Sequence, residues 1–250
     1  MFIDFHAHIL PECDHGSNSL ENSLYQLSEA QQAGVSTVVA TPHFYMYHDT
    51  VDSFIDRRDH CYQTLIEATN LVNLNINIIK AAEVTLFIDL PNLTDLRRLC
   101  IEGTNYMLLE IPGQKWSNWV SQSLSKLIYR HKIIPVIAHI DRYDTRTVRR
   151  LAEMKIPFQL NASALIPVIR RLKYMKMIEH GRIHVLGSDV HSTAKEYKDF
   201  ARAVKVLNKH IDTLNKNASI ILHGERLINH CDELLVPIIS ALGSSDLTVP

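Results

Sequence analysis

The chain has 250 residues, 46% of them hydrophobic and 21% charged, which suits one large α/β domain or two small ones and excludes a disordered chain. A formal net charge of −1 leaves no global field to hold nucleic acid or an anionic membrane, and no apolar run approaches the roughly 18 residues that a membrane span requires. The unusual figure is 14 histidines, whose positions must decide what they mean.

Phe2-Ile3-Asp4-Phe5 reads as a short strand, without the basic region and apolar stretch of a signal peptide. It runs into His6-Ala7-His8, and in extended chain residues two apart face one side. Pro11 and Gly16 bracket a turn carrying Asp14 and His15. Asn18 and Glu21 have capping-box spacing, and Leu20, Leu24, Leu27 and Ala30 give the stripe of a helix that stops at Gly34. Val35 to Ala40 is a β-branched second strand ending in Thr41-Pro42-His43. Residues 51–72 form a long amphipathic helix with Val51, Phe54, Ile55, Tyr62, Leu65 and Ile66 inward. Ile76 to Ala82 is the third strand, followed at once by Glu83. Helical residues near 92–101 lead to Tyr106-Met107-Leu108-Leu109, the fourth strand, with Glu110 near its end. A carboxylate in so apolar a setting needs a cation, a hydrogen-bond partner or water at the strand edge.

Residues 117–131 make another helix, with Trp119, Val120, Leu124, Leu127 and Ile128 on its core face. Ile133 to Ala138 is the fifth strand, ending in His139 and followed by Asp141, Arg142 and Tyr143. Phe158-Gln159-Leu160-Asn161 reads as the sixth, and a helix near 163–180 leads to the seventh at 183–188. There Gly187-Ser188-Asp189-Val190-His191 sets Asp189 and His191 on one side. Two helices, about 194–214 and 218–235, follow. No repeat, low-complexity segment or linker interrupts the chain, so residues 1–250 are read as one domain. Cys13, Cys61, Cys100 and Cys231 are widely spaced with no Cys-x-x-Cys, which argues for reduced thiols in the cytoplasm.

Strand and helix alternate about seven times, and nearly every chemically suspicious residue follows a strand. Parallel β/α barrels build sites from the loops at that end, whereas an open doubly wound sheet gathers ligands at one switch point. A closed or distorted barrel is favoured. The strand-end set is His6, His8, His15 or Asp14, His43, Glu83, Glu110, His139, Asp189 and His191. So many donors exceed what one tetrahedral ion needs, so two or three ions are implied, with carboxylates able to bridge them. Neighbouring ions would hold a bridging hydroxide and clamp phosphoryl oxygens during in-line displacement. That is a hydrolase of phosphate esters ahead of amides or other esters. His48, His60, His131, His180, His184, His210, His223 and His230 lack strand-end placement and are expected to be solvated or packed.

The stretches Ile3-Asp4-Phe5-His6-Ala7-His8-Ile9-Leu10-Pro11, Ala40-Thr41-Pro42-His43, Ala82-Glu83, Leu109-Glu110, Val136-Ile137-Ala138-His139-Ile140-Asp141-Arg142-Tyr143 and Gly187-Ser188-Asp189-Val190-His191 together carry a resemblance. In order and over nearly the whole chain, they are similar to the PHP (polymerase and histidinol phosphatase) family. The chain most closely resembles the manganese-dependent tyrosine-protein phosphatases of bacterial capsule and exopolysaccharide operons. The resemblance implies a distorted, TIM-like (β/α)₇ barrel and a trinuclear centre. One ion would take His6, His8, Glu83 and Asp189; a second, His43 and His191 with a residue of the 14–15 turn; a third, Glu83, Glu110 and His139. The cofactor implied is two or three divalent ions, manganese first, with iron or zinc as alternatives. Arg142 matches an arginine that contacts phosphate, a task its planar fork of donors suits. The implied substrate is a phosphotyrosine protein, such as a capsule or exopolysaccharide tyrosine kinase, with no nucleic-acid partner and no membrane insertion.

Two departures stand out. Relatives carry Asp-Asp-Gly where this chain has Asp14-His15-Gly16, so His15 stands at the ligand position and Asp14 would act behind it or in proton transfer. Relatives often place a second phosphate-binding arginine after the last histidine, where the nearest base here is Lys195. The alternatives are a small-molecule phosphatase such as a histidinol-phosphate phosphatase, which would share every ligand, and a non-catalytic PHP binding module. A thiol-based phosphatase is excluded, since no cysteine is followed by arginine six positions later.

Overall fold

The computed structural model describes residues 1–113 and 116–227. Strands β1 (Phe2–Ala7), β2 (Val35–Ala40), β3 (His43–Phe44), β4 (Asn77–Lys80), β5 (Glu83–Thr85), β6 (Tyr106–Glu110), β7 (Ile134–Ile137), β8 (Gln159–Asn161) and β9 (Val185–Gly187) are short, and every pair among them is parallel. Between and after them come helices α1 (Leu20–Gln32), α2 (Val51–Leu71), α3 (Asn118–Tyr129), α4 (Thr145–Glu153), α5 (Val168–Glu179), α6 (Lys195–Leu207) and α7 (His210–Leu222). Among the described residues, no helix is long and apolar enough to cross a membrane.

The strands read as near-continuous apolar runs because both faces are covered, as parallel sheets require. Alternation then sorts the side chains. Phe5, Val39, Leu108, Val136 and Val185 cluster with Ala218 and Ile221 of α7. The opposite faces, among them Val38, Met107, Leu109, Ile137 and Leu186, pack with Leu27, Leu65, Leu124, Leu151 and Phe200 of the helices.

The ladders form three sheets, ordered β1-β2-β4, β3-β5-β6-β7 and β8-β9. The strand expected over 76–82 is therefore two pieces, and Glu83 opens β5 instead of following a strand. The second strand breaks similarly, because Pro42 has no N–H to give to a ladder. Single hydrogen bonds carry the chain across both breaks, from Ala81 N–H to Ala40 O at 2.9 Å and from Glu83 N–H to Pro42 O at 3.1 Å. Isolated parallel bridges pair Ala7 with Val190 and Ile137 with Phe158.

Other expectations are corrected by backbone chemistry. The first helix is capped by Ser19, whose side chain accepts from Asn22 N–H, and not by Asn18. The helix expected near 92–101 is two short 3₁₀ turns, separated by a left-handed Asp95 (φ 55°). The helix expected from 163 begins as a 3₁₀ turn, and Pro167 then caps α5. The first closing helix ends at Leu207, where Asn208 takes φ 50°. The second starts earlier than expected, at His210, and ends at Leu222 before Gly224, while the remainder of its expected span from 228 lies outside the described residues. Helix α4 was not expected at all.

Candidate metal centre

The strand ends converge on one buried cluster. His6 Nδ1 lies 3.1 Å from Gln159 Oε1, an oxygen that also accepts the His139 N–H at 2.6 Å. An oxygen cannot donate, so the Nδ1 proton of His6 makes this contact, and the neutral ring then presents Nε2 as a lone pair. His8 Nδ1 likewise faces Asp14 Oδ2 at 2.7 Å, which frees His8 Nε2. These two nitrogens point at each other from 3.1 Å. Glu83 Oε2 stands 3.1 and 3.2 Å from them, and Asp189 Oδ1 3.5 and 3.6 Å. Four potential ligand atoms thus share one buried space, an arrangement that fits a cation in place of the proton the rings would otherwise hold. Asp189 Oδ1, His43 Nδ1 and His139 Nδ1 are also buried without a hydrogen-bond partner.

Three groups have ligand atoms within 4.8 Å of one another: His6, His8, Glu83 and Asp189; His8, His43 and His191; and His43, Glu83 and Glu110. The field of the cluster favours positive charge. Burial opposes a charged His8, but hydrogen bonds to Asp14 and Glu83 outweigh it and raise its pKa to about 10. His139 rises to about 9 in the same way, with burial overcome by Glu110 and Glu83. Glu83 is buried too, yet the surrounding His6, His139 and His8 hold its carboxyl well below the usual range. A divalent ion answers the same field.

The first group matches the first expected ligand set in full. In the second, His8 joins His43 and His191, while His15 is exposed with its ring 4.6 Å from that of His43 and 4.9 Å from that of His191. Asp14 sits behind His8, and its carboxylate also accepts the N–H groups of His43 and Gly16, each at 2.9 Å. In the third, His43 stands with the two glutamates, and His139 Nε2 reaches Glu83 Oε1 at 2.8 Å and Glu110 Oε1 at 3.4 Å. Arg142 is half-exposed at the rim and pairs with Asp189 Oδ2. Lys195 begins α6 and is exposed. Of the remaining histidines, His48, His60, His180 and His223 are exposed, and buried His184 accepts the Phe158 N–H at 3.0 Å. His230 lies outside the described residues.

The residues that hold the donors in place were not singled out from sequence. Gln159 orients His6 and His139, and Asn161 Nδ2 donates to Asp189 Oδ2 at 2.8 Å. Buried Asp4 accepts from Ser188 N–H at 2.7 Å, and burial raises its pKa to about 6. Gln159-Leu160-Asn161 alternates polar residues at a strand end, the same signal that marked His6-Ala7-His8. His139 (φ 32°) and Asp189 (φ 56°) occupy the left-handed region, which costs a non-glycine residue on the order of 1–3 kcal/mol and concentrates at working sites. Gly187 and Gly16 permit close approach. A Cβ on Gly187 would stand 2.6 Å from His6 Cβ, and one on Gly16 would stand 2.3 Å from His8 Cβ.

A family described as capsular polysaccharide synthesis, CpsB/CapC, matches residues 2–229. The chain is 25% identical over 243 residues to the tyrosine-protein phosphatase YwqE of Bacillus subtilis (strain 168), covering 90% of this chain and 93% of that one. It is 26% identical over 247 residues to the putative tyrosine-protein phosphatase CapC of Staphylococcus aureus, covering 90% and 92%. It is 27% identical over 206 residues to the tyrosine-protein phosphatase CpsB of Streptococcus pneumoniae, covering 76% and 83%. Its fold is similar to a crystal structure from work on YwqE of Bacillus subtilis and CpsB of Streptococcus pneumoniae, described as unique metal-dependent tyrosine phosphatases. The TM-score is 0.74 and the identity 23%, over 90% of this chain and 96% of that one.

Proposed function

This chain belongs to the CpsB/CapC family of capsular polysaccharide synthesis, and from that premise we propose that it is a metal-dependent tyrosine-protein phosphatase, a phosphoric monoester hydrolase. The observation that carries the reading is the facing pair His6 Nε2 and His8 Nε2, 3.1 Å apart among carboxylate oxygens. Relatives named tyrosine-protein phosphatases along most of their length support the substrate class.

We assign one ion to His6, His8, Glu83 and Asp189, a second to His43, His191 and His15, and a third to Glu83, Glu110 and His139, with Glu83 shared. Manganese is the proposed metal. Bound divalent ions supply Lewis acidity toward phosphoryl oxygens and a more acidic water. The chain's own part is orientation. Asp14 and Gln159 fix which nitrogens of His8 and His6 face inward. Arg142 holds Asp189 and, from its half-exposed position, offers its remaining donors to phosphoryl oxygens. A phenol of pKa about 10 departs with less help from a general acid than an alkyl alcohol needs.

We read the parallel strands as a distorted (β/α)₇ barrel in one domain, supported by the Ala7–Val190 and Ile137–Phe158 bridges between sheets. Free Cys13, Cys61 and Cys100 support a reducing, cytoplasmic setting. The test is turnover of a phosphotyrosine peptide and of histidinol phosphate by metal-stripped and manganese-reloaded protein. Activity toward the peptide should vanish on stripping and return on reloading. Full activity after stripping overturns the metal dependence, and turnover of histidinol phosphate alone overturns the substrate assignment.

A further inference from the structure

Aromatic side chains gather where two neighbouring loops leave the cluster. Strands β3 and β5 run parallel, with His43 opposite Glu83 and Phe44 opposite Val84. Tyr47 stands as many positions beyond His43 as Phe87 stands beyond Glu83. Each strand passes into a turn, closed by His48 N–H to Tyr45 O at 2.8 Å and by Leu90 N–H to Phe87 O at 3.1 Å. The shared register brings the two loops out side by side, and the Tyr47 and Phe87 rings meet edge to face with centroids 4.7 Å apart. Beside them the Tyr45 ring stacks on the His43 imidazole at 5.1 Å.

Tyr47 is 61% exposed and neighbouring Ile88 is 55% exposed. Side chains that exposed add little to a core, and an apolar group at the mouth of a polar site commonly marks where a ligand rests. The chain leaving the cluster at His43 and Glu83 thus passes directly into loops that carry these rings. A phosphoryl group held at the cluster must send its ester substituent outward, and on this side an aromatic or apolar substituent gains contact.

We propose that Tyr47 and Phe87, with Tyr45 beside them, seat the aryl ring of an aryl phosphomonoester and set the preference for aryl over alkyl phosphates. The inference rests on the phosphatase reading and deepens it. The hydroxyl of Tyr47 has no part in it, since the ring supplies the contact.

The experiment measures dissociation constants of phenylphosphonate and methylphosphonate by calorimetry on manganese-loaded protein, alongside turnover of a phosphotyrosine peptide. The two phosphonates share one anionic group and differ by the ring. Phenylphosphonate should bind more tightly, and Tyr47→Ala or Phe87→Ala should each shrink that preference roughly threefold to tenfold, the range of one aromatic contact. Tyr47→Phe should keep it. General damage to the site would weaken both phosphonates together. An unchanged ratio in both alanine variants, with the peptide still hydrolysed by the parent protein, overturns the seat and leaves the phosphatase reading standing. A parent protein that hydrolyses no phosphomonoester overturns both.

Discussion

At the scale of single residues, the histidines and carboxylates that gather in the cluster were legible, as was Asp14, whereas Gln159 and Asn161 were not. A histidine or carboxylate directly after an apolar run stands out, because such a run otherwise ends in turn residues. Gln159 and Asn161 alternate at a strand end in the same way but are amides, neither titrating nor common ligands, and only the fold reveals that Gln159 Oε1 serves His6 and His139 at once. Two predictions belong here. Asp14→Asn keeps the size of the side chain but removes the charge that fixes the His8 proton on Nδ1. Outer partners of metal-binding histidines typically matter by roughly 10–100-fold in affinity, so manganese titration should show a loss of that order with the fold retained. An affinity equal to that of the parent protein would remove Asp14 from its role. His15→Ala should lower the metal bound per chain, read by elemental analysis, because the exposed ring stands beside His43 and His191. Unaltered metal content would leave the second site to His8, His43 and His191 alone.

At the scale of elements, buried parallel strands were readable as apolar runs, and long amphipathic helices such as α2 by their stripe. Helix α4 escaped because only Thr147 and Leu151 are buried along its nine residues, too narrow a stripe to separate from a polar loop. The split of the third strand escaped because Ala81 and Ala82 continue it with no turn residue, and only pairing shows that they leave the ladder. The role of Gly187, at the end of β9, is space. A methyl group on Gly187 would stand 2.6 Å from His6 Cβ and 2.7 Å from Gln159 Nε2, atoms held from both sides. Overpacking of a filled interior typically costs about 1–3 kcal/mol, so Gly187→Ala should lower stability in urea unfolding by an amount of that order. Peptide turnover should fall further than stability alone explains, since the displaced atoms orient a metal ligand. Activity at the parent level would mean that β9 can slide without disturbing the cluster.

At the scale of the molecule, the donors come from β1, β3, β5, β6 and the segments after β7 and β9, so an ion held by them ties together elements far apart in sequence. One such tie joins the first and last strands among the described residues. There Asp189 N–H donates to His6 O at 2.8 Å and His8 N–H to Val190 O at 2.9 Å. The parallel α/β alternation could be anticipated from the sequence, but this joint could not, because it depends on two segments more than 180 positions apart meeting in register. Metal binding should therefore stabilise the whole fold and not one loop. A ligand at 100 times its dissociation constant adds about 2.7 kcal/mol to the folded state, and in a domain of 150–250 residues each kcal/mol raises Tm by roughly 2–4 °C. Manganese at such an excess should accordingly raise Tm by about 5–10 °C over protein held in chelator, in calorimetric scans. Hydrogen exchange locates the effect: added metal should slow the amides of β1 and of residues 185–190 together. Protection confined to the 14–16 turn, with Tm unmoved, would show that the cluster binds its cation without using it to hold the first strand against the last.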